Sequence, residues 1–269
     1  MLLFNDELLQ EQAFSFPLPN RGLAFGDGFF ETLIFAEGRL RLAADHCARM
    51  QRAAAALHLA LPPTLATSHA LAATLARLAQ ANALNAARLR LQVWRAGGGR
   101  YTPPTAVAEW LATAEPHVPD ESALHQVNFA RETQSVFSPL SFCKGPQAWL
   151  YVRAAHERQQ RGLAEIILCD AAGHVAEGGA AAIFWLQANV LYTPALATGC
   201  VAGVRRAAVL RAAPAAGLTC REGLFSADDL LRAEAVFTAN VAAVRAVRGV
   251  GNHRFAAPAP ALLARLGAV

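Results

Sequence analysis

Lysine is almost missing from this chain. Of 24 basic residues only Lys144 is a lysine; the others are arginines. Arginine stays charged at physiological pH, so this chain has one side-chain amine able to form a Schiff base or to titrate as a base. A surface lysine in an arginine-biased chain gives the same count, so the surroundings have to decide. Other absences narrow the function. The five cysteines (Cys47, Cys143, Cys169, Cys200, Cys220) are odd in number, widely spaced and include no CxxC pair, which points to reduced thiols. The eight histidines show no HExxH or related spacing, so no metal site is expected. No apolar run reaches membrane-spanning length, and MLLFNDELLQEQ lacks the basic start of a signal peptide; a cytoplasmic protein without a membrane partner is expected. No basic run interleaved with aromatics is present, so no nucleic-acid partner is expected.

What is there is a chain of 269 residues, 54% hydrophobic and 16% charged, enough for one large or two modest domains with a real core. The net charge is +4, carried by scattered arginines, which suits an anionic small molecule. Residues 29–35 and 39–42 read as two strands about the turn Ala36-Glu37-Gly38. An alanine-rich helix runs from Asp45 to about Leu59, with His46 and Arg49 on one face. A second helix spans about 64–83. Arg88–Arg95 alternates polar and apolar as a half-buried strand, and 107–116 is another. The Gly97–Gly99 loop lacks the Lys-Ser/Thr and following helix of a P-loop. The proline-bearing stretch 116–122 is the best linker, giving domains 1–120 and 121–269.

The densest pattern runs from Ser138 to Trp185. Lys144 precedes a helix over 148–162; an apolar strand over 164–170 follows, then the turn Ala171-Ala172-Gly173, and a strand delivering Glu177. Further on, Gly203 opens a helix of about 12 residues whose first N–H groups can face an anion. Ser226-Ala227-Asp228-Asp229 reads as a capping box, and 234–240 as a strand.

Lys144, Gly162-Leu163-Ala164-Glu165 and Gly173-His174-Val175-Ala176-Glu177, together with RGLAFGDGFFETL (21–33), resemble the fold-type IV, or class IV aminotransferase, family of pyridoxal-phosphate (PLP) enzymes. Its members include branched-chain and D-amino-acid aminotransferases and aminodeoxychorismate lyase. The resemblance implies an α+β, two-domain fold, with a smaller N-terminal α/β domain and a larger C-terminal pseudo-barrel. It implies a homodimer acting on a small amino substrate. Lys144 would carry PLP and shuttle protons; Glu177 would face the pyridine nitrogen. Arg49, the main-chain N–H groups of Val204 and Arg205, and Thr238, Asn240 and Val241 would hold the phosphate. Phe30 and Glu31 would approach the cofactor pocket. Arg100, with Arg95 second, would meet the substrate carboxylate.

Two stretches depart from the family pattern. After Lys144 the chain reads Gly145-Pro146-Gln147-Ala148-Trp149, without the usual hydroxyl for the cofactor ring; Tyr151 or a water would have to replace it. After Glu177 it reads Gly178-Gly179-Ala180-Ala181-Ala182, without the usual hydroxyl residues and Asn. The short chain, the GGGRY loop and the Thr238-Ala239-Asn240 ending lean toward aminodeoxychorismate lyase. An amino-acid aminotransferase, or a non-catalytic relative, remains the alternative.

Overall fold

The structure is a computed structural model that describes residues 1–145 and 148–267. It divides into two compact units, Met1–Val118 with Cys143–Pro146, and Pro119–Phe142 with Gln147–Val269. The chain thus passes between units two residues before the expected boundary, and the short segment bearing Lys144 returns to the first unit.

In the first unit, six strands form one antiparallel sheet. They are β1 (Leu2–Phe4), β2 (Glu7–Leu9), β3 (Gly28–Ala36), β4 (Arg39–Leu40), β5 (Ala86–Arg95) and β6 (Ala108–Pro116), in the order β2-β1-β6-β5-β3-β4. The alternation in β5 is the one its sequence shows. Ala87, Leu89, Leu91 and Val93 are buried, whereas Arg88 and Gln92 are exposed and Arg90 half-buried. Four helices accompany the sheet: α1 (Arg21–Phe25), α2 (Ala43–Ala56), α3 (Pro63–Ala66) and α4 (Ser68–Ala81). The single helix expected over 64–83 is therefore two. Thr67 is extended (φ −128°, ψ 155°), and its side chain accepts the Ala70 N–H at 3.1 Å, so it ends one helix and caps the next.

β3 is pinned to α2 by a buried ionic cluster. Glu31 is 2% exposed and His46 0%. Glu31 Oε1 accepts from Arg49 Nε at 2.8 Å, Glu31 Oε2 pairs with Arg49 Nη2, and His46 Nδ1 lies 2.7 Å from Oε2. Burial pushes the Glu31 carboxyl up, but the Arg49 charge, the His46 hydrogen bond and charge, and the Arg49 hydrogen bond outweigh it and hold the pKa at about 2.

In the second unit, β12 (Thr219–Gly223), β11 (Val190–Pro194), β10 (Ala182–Gln187), β13 (Ala235–Ala239) and β14 (Val244–Val247) form one sheet in that order. Another runs β16 (His253–Arg254), β15 (Gly249–Val250), β7 (Val127–Phe129), β8 (Glu165–Cys169) and β9 (Val175–Gly178). Both contribute to one core: Ile183, Trp185 and Val236 from the first meet Val127, Ile167, Val175 and Val250 from the second. Phe184 and Phe237 stack at 5.1 Å within a second cluster. The helices are α5 (Ala148–Gln160), α6 (Val204–Ala212), α7 (Ala227–Leu231) and α8 (Pro260–Gly267). α6 is nine residues long rather than about 12, because Ala213 leads into a 3-10 turn begun by Pro214. The capping box read at Ser226 is formed, with Asp229 as its reciprocal partner.

The Glu31 cluster has a measurable consequence. A carboxyl whose pKa is depressed in the folded state stabilises fully above its unfolded value of 4.5, and the contribution is lost as pH falls toward about 2. Glu31→Gln should cost about 3 kcal/mol at pH 7, as when one partner of a buried pair is removed. The difference from wild type in chemical denaturation should shrink between pH 4.5 and 2.

Candidate active site

In the first unit, the Lys144 main chain lies against the start of β3. The Phe30 N–H donates to the Lys144 carbonyl oxygen at 2.9 Å. Gly145 follows at φ +143°, and a Cβ there would sit 2.9 Å from Phe29 Cα and 3.0 Å from the Gly28 oxygen. Only glycine fits that approach. Gly145 and Phe30 also line a cleft of about 160 Å³ with Phe16, Leu23, Gln92 and Trp94. Pro146 and Gln147, the first part of the departure after Lys144, lie outside the described residues.

Asp27 organises the other side of this region. Its Oδ2 accepts from Arg21 Nε at 2.7 Å and from Arg95 Nε at 2.9 Å. The Asp27 pKa is lowered: burial opposes the change, but the hydrogen bonds and charges of Arg95 and Arg21 outweigh it. Arg21 Nη1 in turn donates to the carbonyls of Gly98 and Arg100 at 3.0 and 2.6 Å, fixing the glycine loop. Arg95 corrects one expectation. A guanidinium has five N–H donors, and those of Arg95 are met by both Asp27 oxygens and by the carbonyls of His58, Thr105 and Leu57. At 6% exposure it ties the loop to the sheet and has no donor left for a substrate carboxylate. Arg100 is exposed on the loop.

In the second unit, Glu177 stands on β9 opposite Leu168 and is 5% exposed. Its Oε1 accepts from the Tyr151 hydroxyl of α5 at 2.6 Å and from the Val201 N–H at 3.1 Å. Burial raises the Tyr151 pKa steeply, the Glu177 charge and the hydrogen bond adding to it, so Tyr151 remains a neutral donor. Sequence reading considered Tyr151 only as a stand-in for the ring hydroxyl; no local pattern pairs it with Glu177, 26 residues on.

The alanine-rich turn after Glu177 is held by other groups. Glu165 Oε1 accepts the Gly179 N–H at 3.1 Å, and Asn240 Nδ2 donates to the Ala180 oxygen at 3.2 Å. Burial raises the Glu165 pKa, against the N–H bonds of Ile166 and Gly179 and the charges of Arg158 and Arg245. Asn240 Oδ1 also accepts the N–H groups of Ala242 and Ala243 at 2.9 and 3.1 Å. α6 begins three residues beyond Val201, behind the N-cap Gly203. The Arg205 side chain grips the carbonyls of Asn240, Val241 and Gly267 at 3.2, 3.2 and 2.6 Å. Val204, Arg205, Asn240 and Val241 are thereby brought together around the start of α6, and Thr238 is buried on the neighbouring strand β13.

The family "Amino-transferase class IV" matches residues 28–250. The chain belongs to the class IV aminotransferases. It is 26% identical to the D-alanine aminotransferase of Bacillus licheniformis, over 98% of this chain and 93% of that one. It is 26% identical to the aminodeoxychorismate lyase of Vibrio harveyi, over 83% of each. The solved 4-amino-4-deoxychorismate lyase of Pseudomonas aeruginosa superposes with a TM-score of 0.84 at 26% identity, covering 96% of this chain and 94% of that one.

Class IV aminotransferases are PLP-dependent enzymes. The donor set of this chain fits that cofactor. A buried carboxylate suits a protonated pyridine nitrogen, the first turn of α6 suits a phosphate, and the one lysine amine of the chain suits a carbonyl. Two outcomes follow. Tyr151→Phe should lower stability by about 1–2 kcal/mol and reduce turnover while cofactor is still taken up, read by thermal unfolding and steady-state rates. Gly145→Ala should displace the Lys144 main chain and cut kcat far more than it shifts the melting temperature.

Proposed function

We propose that this class IV aminotransferase is an aminodeoxychorismate lyase, which converts 4-amino-4-deoxychorismate to 4-aminobenzoate and pyruvate in folate synthesis. The observation that carries the reading is the likeness to the P. aeruginosa lyase along nearly the whole of both chains. The GGGRY loop and the Thr238-Ala239-Asn240 ending support it. Transamination of D-amino acids is the second reading, favoured by the equally long match to the D-alanine aminotransferase. In either case we assign the site as a cytoplasmic homodimer would use it, following the family resemblance.

Bound PLP supplies an electron sink for the carbon that loses its proton. Lys144 would hold the cofactor carbonyl through its amine, and the same amine is the base placed to take the proton from the amino-bearing carbon of the substrate. Glu177, oriented by Tyr151 and the Val201 N–H, keeps the pyridine nitrogen protonated. The N–H groups of Val204 and Arg205, Thr238, Asn240 and the Val241 amide would hold the phosphate, and the family resemblance adds Arg49 to that role. Phe30 borders the substrate, and Arg100 on its fixed loop reaches for a carboxylate.

Purified protein should release pyruvate from aminodeoxychorismate faster than it moves an amino group to 2-oxoglutarate; the reverse order selects the aminotransferase. Lys144→Ala should abolish turnover together with the visible absorption of lysine-bound cofactor. Glu177→Gln should retain cofactor but lose most of the rate. Near-normal turnover by Lys144→Ala would falsify the whole reading.

A further inference from the structure

Glu165 is 8% exposed, yet only one of its oxygens is bonded. Oε1 accepts the N–H groups of Ile166 and Gly179 at 2.9 and 3.1 Å. Among the described residues no group donates to Oε2, and no salt bridge reaches the carboxyl. Its room is made by the bare turn beside it. A Cβ on Gly178 would sit 3.3 Å from Glu165 Cδ, and one on Gly179 would sit 3.2 Å from Oε1. Burial, the largest influence on this carboxyl, disfavours its charge, so what it lacks is a cationic partner.

Glu165 lines a cavity of about 220 Å³ within the second unit, bordered also by Leu124, Arg158, Ala181, Thr238, Asn240 and Arg245. The cavity is separate from the Glu177 carboxylate. By alternation Glu165 shares a face with Ile167, which belongs to the core between the two sheets. Leu168, which stands opposite Glu177, packs instead with Leu150 and Ala154 of α5. The two glutamates therefore leave their strands on opposite faces. α6 also lies on the other side of β10 and β13, where its Val209 meets Phe184 and Phe237.

Two cations border the cavity with donors to spare. Arg158 Nη1 donates to the Ala164 oxygen at 3.2 Å. Arg245 uses Nε and Nη2 on Ser122 and Asp120. Arg158 Nη2 and Arg245 Nη1 have no partner among the described residues. Both charges act on Glu165 without pairing with it. A bare cation in the cavity would be repelled by the arginines, and a bare anion by Glu165. A molecule carrying both charges satisfies each side.

We propose that this cavity is a second small-molecule site that takes a zwitterion, its ammonium on Glu165 Oε2 and its carboxylate toward Arg158 and Arg245. The site is independent of the lysine chemistry proposed above.

The probe is 4-(aminomethyl)benzoate, with an ammonium and a carboxylate on one rigid ring; benzylamine and 4-methylbenzoate each keep one of the two. Titration calorimetry on the PLP-loaded protein should show the zwitterion binding about tenfold or more tighter than either, the worth of one charge-assisted bond. The visible absorption of the bound cofactor should not change, which separates this site from Lys144. Glu165→Gln keeps the shape and the Oε1 acceptor, and should weaken the zwitterion about tenfold while 4-methylbenzoate binds no worse. Arg158→Gln combined with Arg245→Gln should remove the preference over benzylamine. Ala155 lines the exposed edge of the cavity, and Ala155→Phe should block entry. Circular dichroism melts show which variants are folded; if Glu165→Gln is not, Ala155→Phe decides. The proposal is overturned by a wild type that binds the zwitterion no better than its halves, or by a folded Glu165→Gln or Ala155→Phe that binds it like wild type. Binding that comes only with a change in cofactor absorption overturns it too. Failure to take up PLP would sink the Lys144 reading and leave this measurement as it stands.

Discussion

Strand β3 is the constraint on which the first unit depends, and the Glu31 carboxylate is what fixes it. A charge at 2% exposure is tolerable only because Arg49 and His46 meet both of its oxygens. That cluster sets the rotation of the strand against α2. Alternation then does the rest: with Glu31 turned toward the helix, Phe30 must project from the opposite face, beside Arg90. The backbone of the same residue bonds the Lys144 carbonyl. One strand thus carries the ionic anchor on one side, the aromatic platform on the other, and the lysine segment along its backbone.

The second unit holds a similarly buried carboxylate. Glu177 is buried almost as deeply as Glu31, yet its Oε1 is met by a tyrosine hydroxyl and a backbone N–H. A neutral donor steadies a carboxylate without cancelling its charge. An arginine in that place would neutralise the field that a bound cation such as a protonated ring needs. Glu31 is locked by charge pairing with Arg49 and His46, and Glu177 is oriented by Tyr151 and the Val201 N–H.

Much of this was legible beforehand, and what was not has physical reasons. The alternation of β5 and the capping box at Ser226 are local patterns with period or turn chemistry behind them, and they stand as read; the β3–β4 hairpin forms too, but β4 stops at Leu40 because Leu42, at φ 55°, already caps α2. The break at Thr67 hides inside a continuous Leu/Ala periodicity, because a single capping threonine barely disturbs it. The groups holding the Gly178–Ala182 turn could not be read from that turn. It lacks polar side chains of its own and borrows them from Glu165 and Asn240, the latter 60 residues distant. Tyr151 was visible as a hydroxyl near the lysine, but its partner is set by the packing of α5, which no spacing encodes.

The arginines of β5 mark the limit most sharply. The string RLRLQVWR announces which residues share a face but not what each guanidinium meets. Arg95 is enclosed by carbonyls from two loops and by Asp27, so its desolvation is offset by five hydrogen bonds. Arg88 remains exposed, where a pair with Glu115 is worth little. Among the described residues Arg90 meets no polar partner, only the face of Phe30, and a ring quadrupole offsets part of the desolvation of a cation, not all of it. The same residue type on one strand is thus a strut, a surface charge and a cation stacked on a ring, and the difference lies wholly in what the tertiary structure brings to its donors.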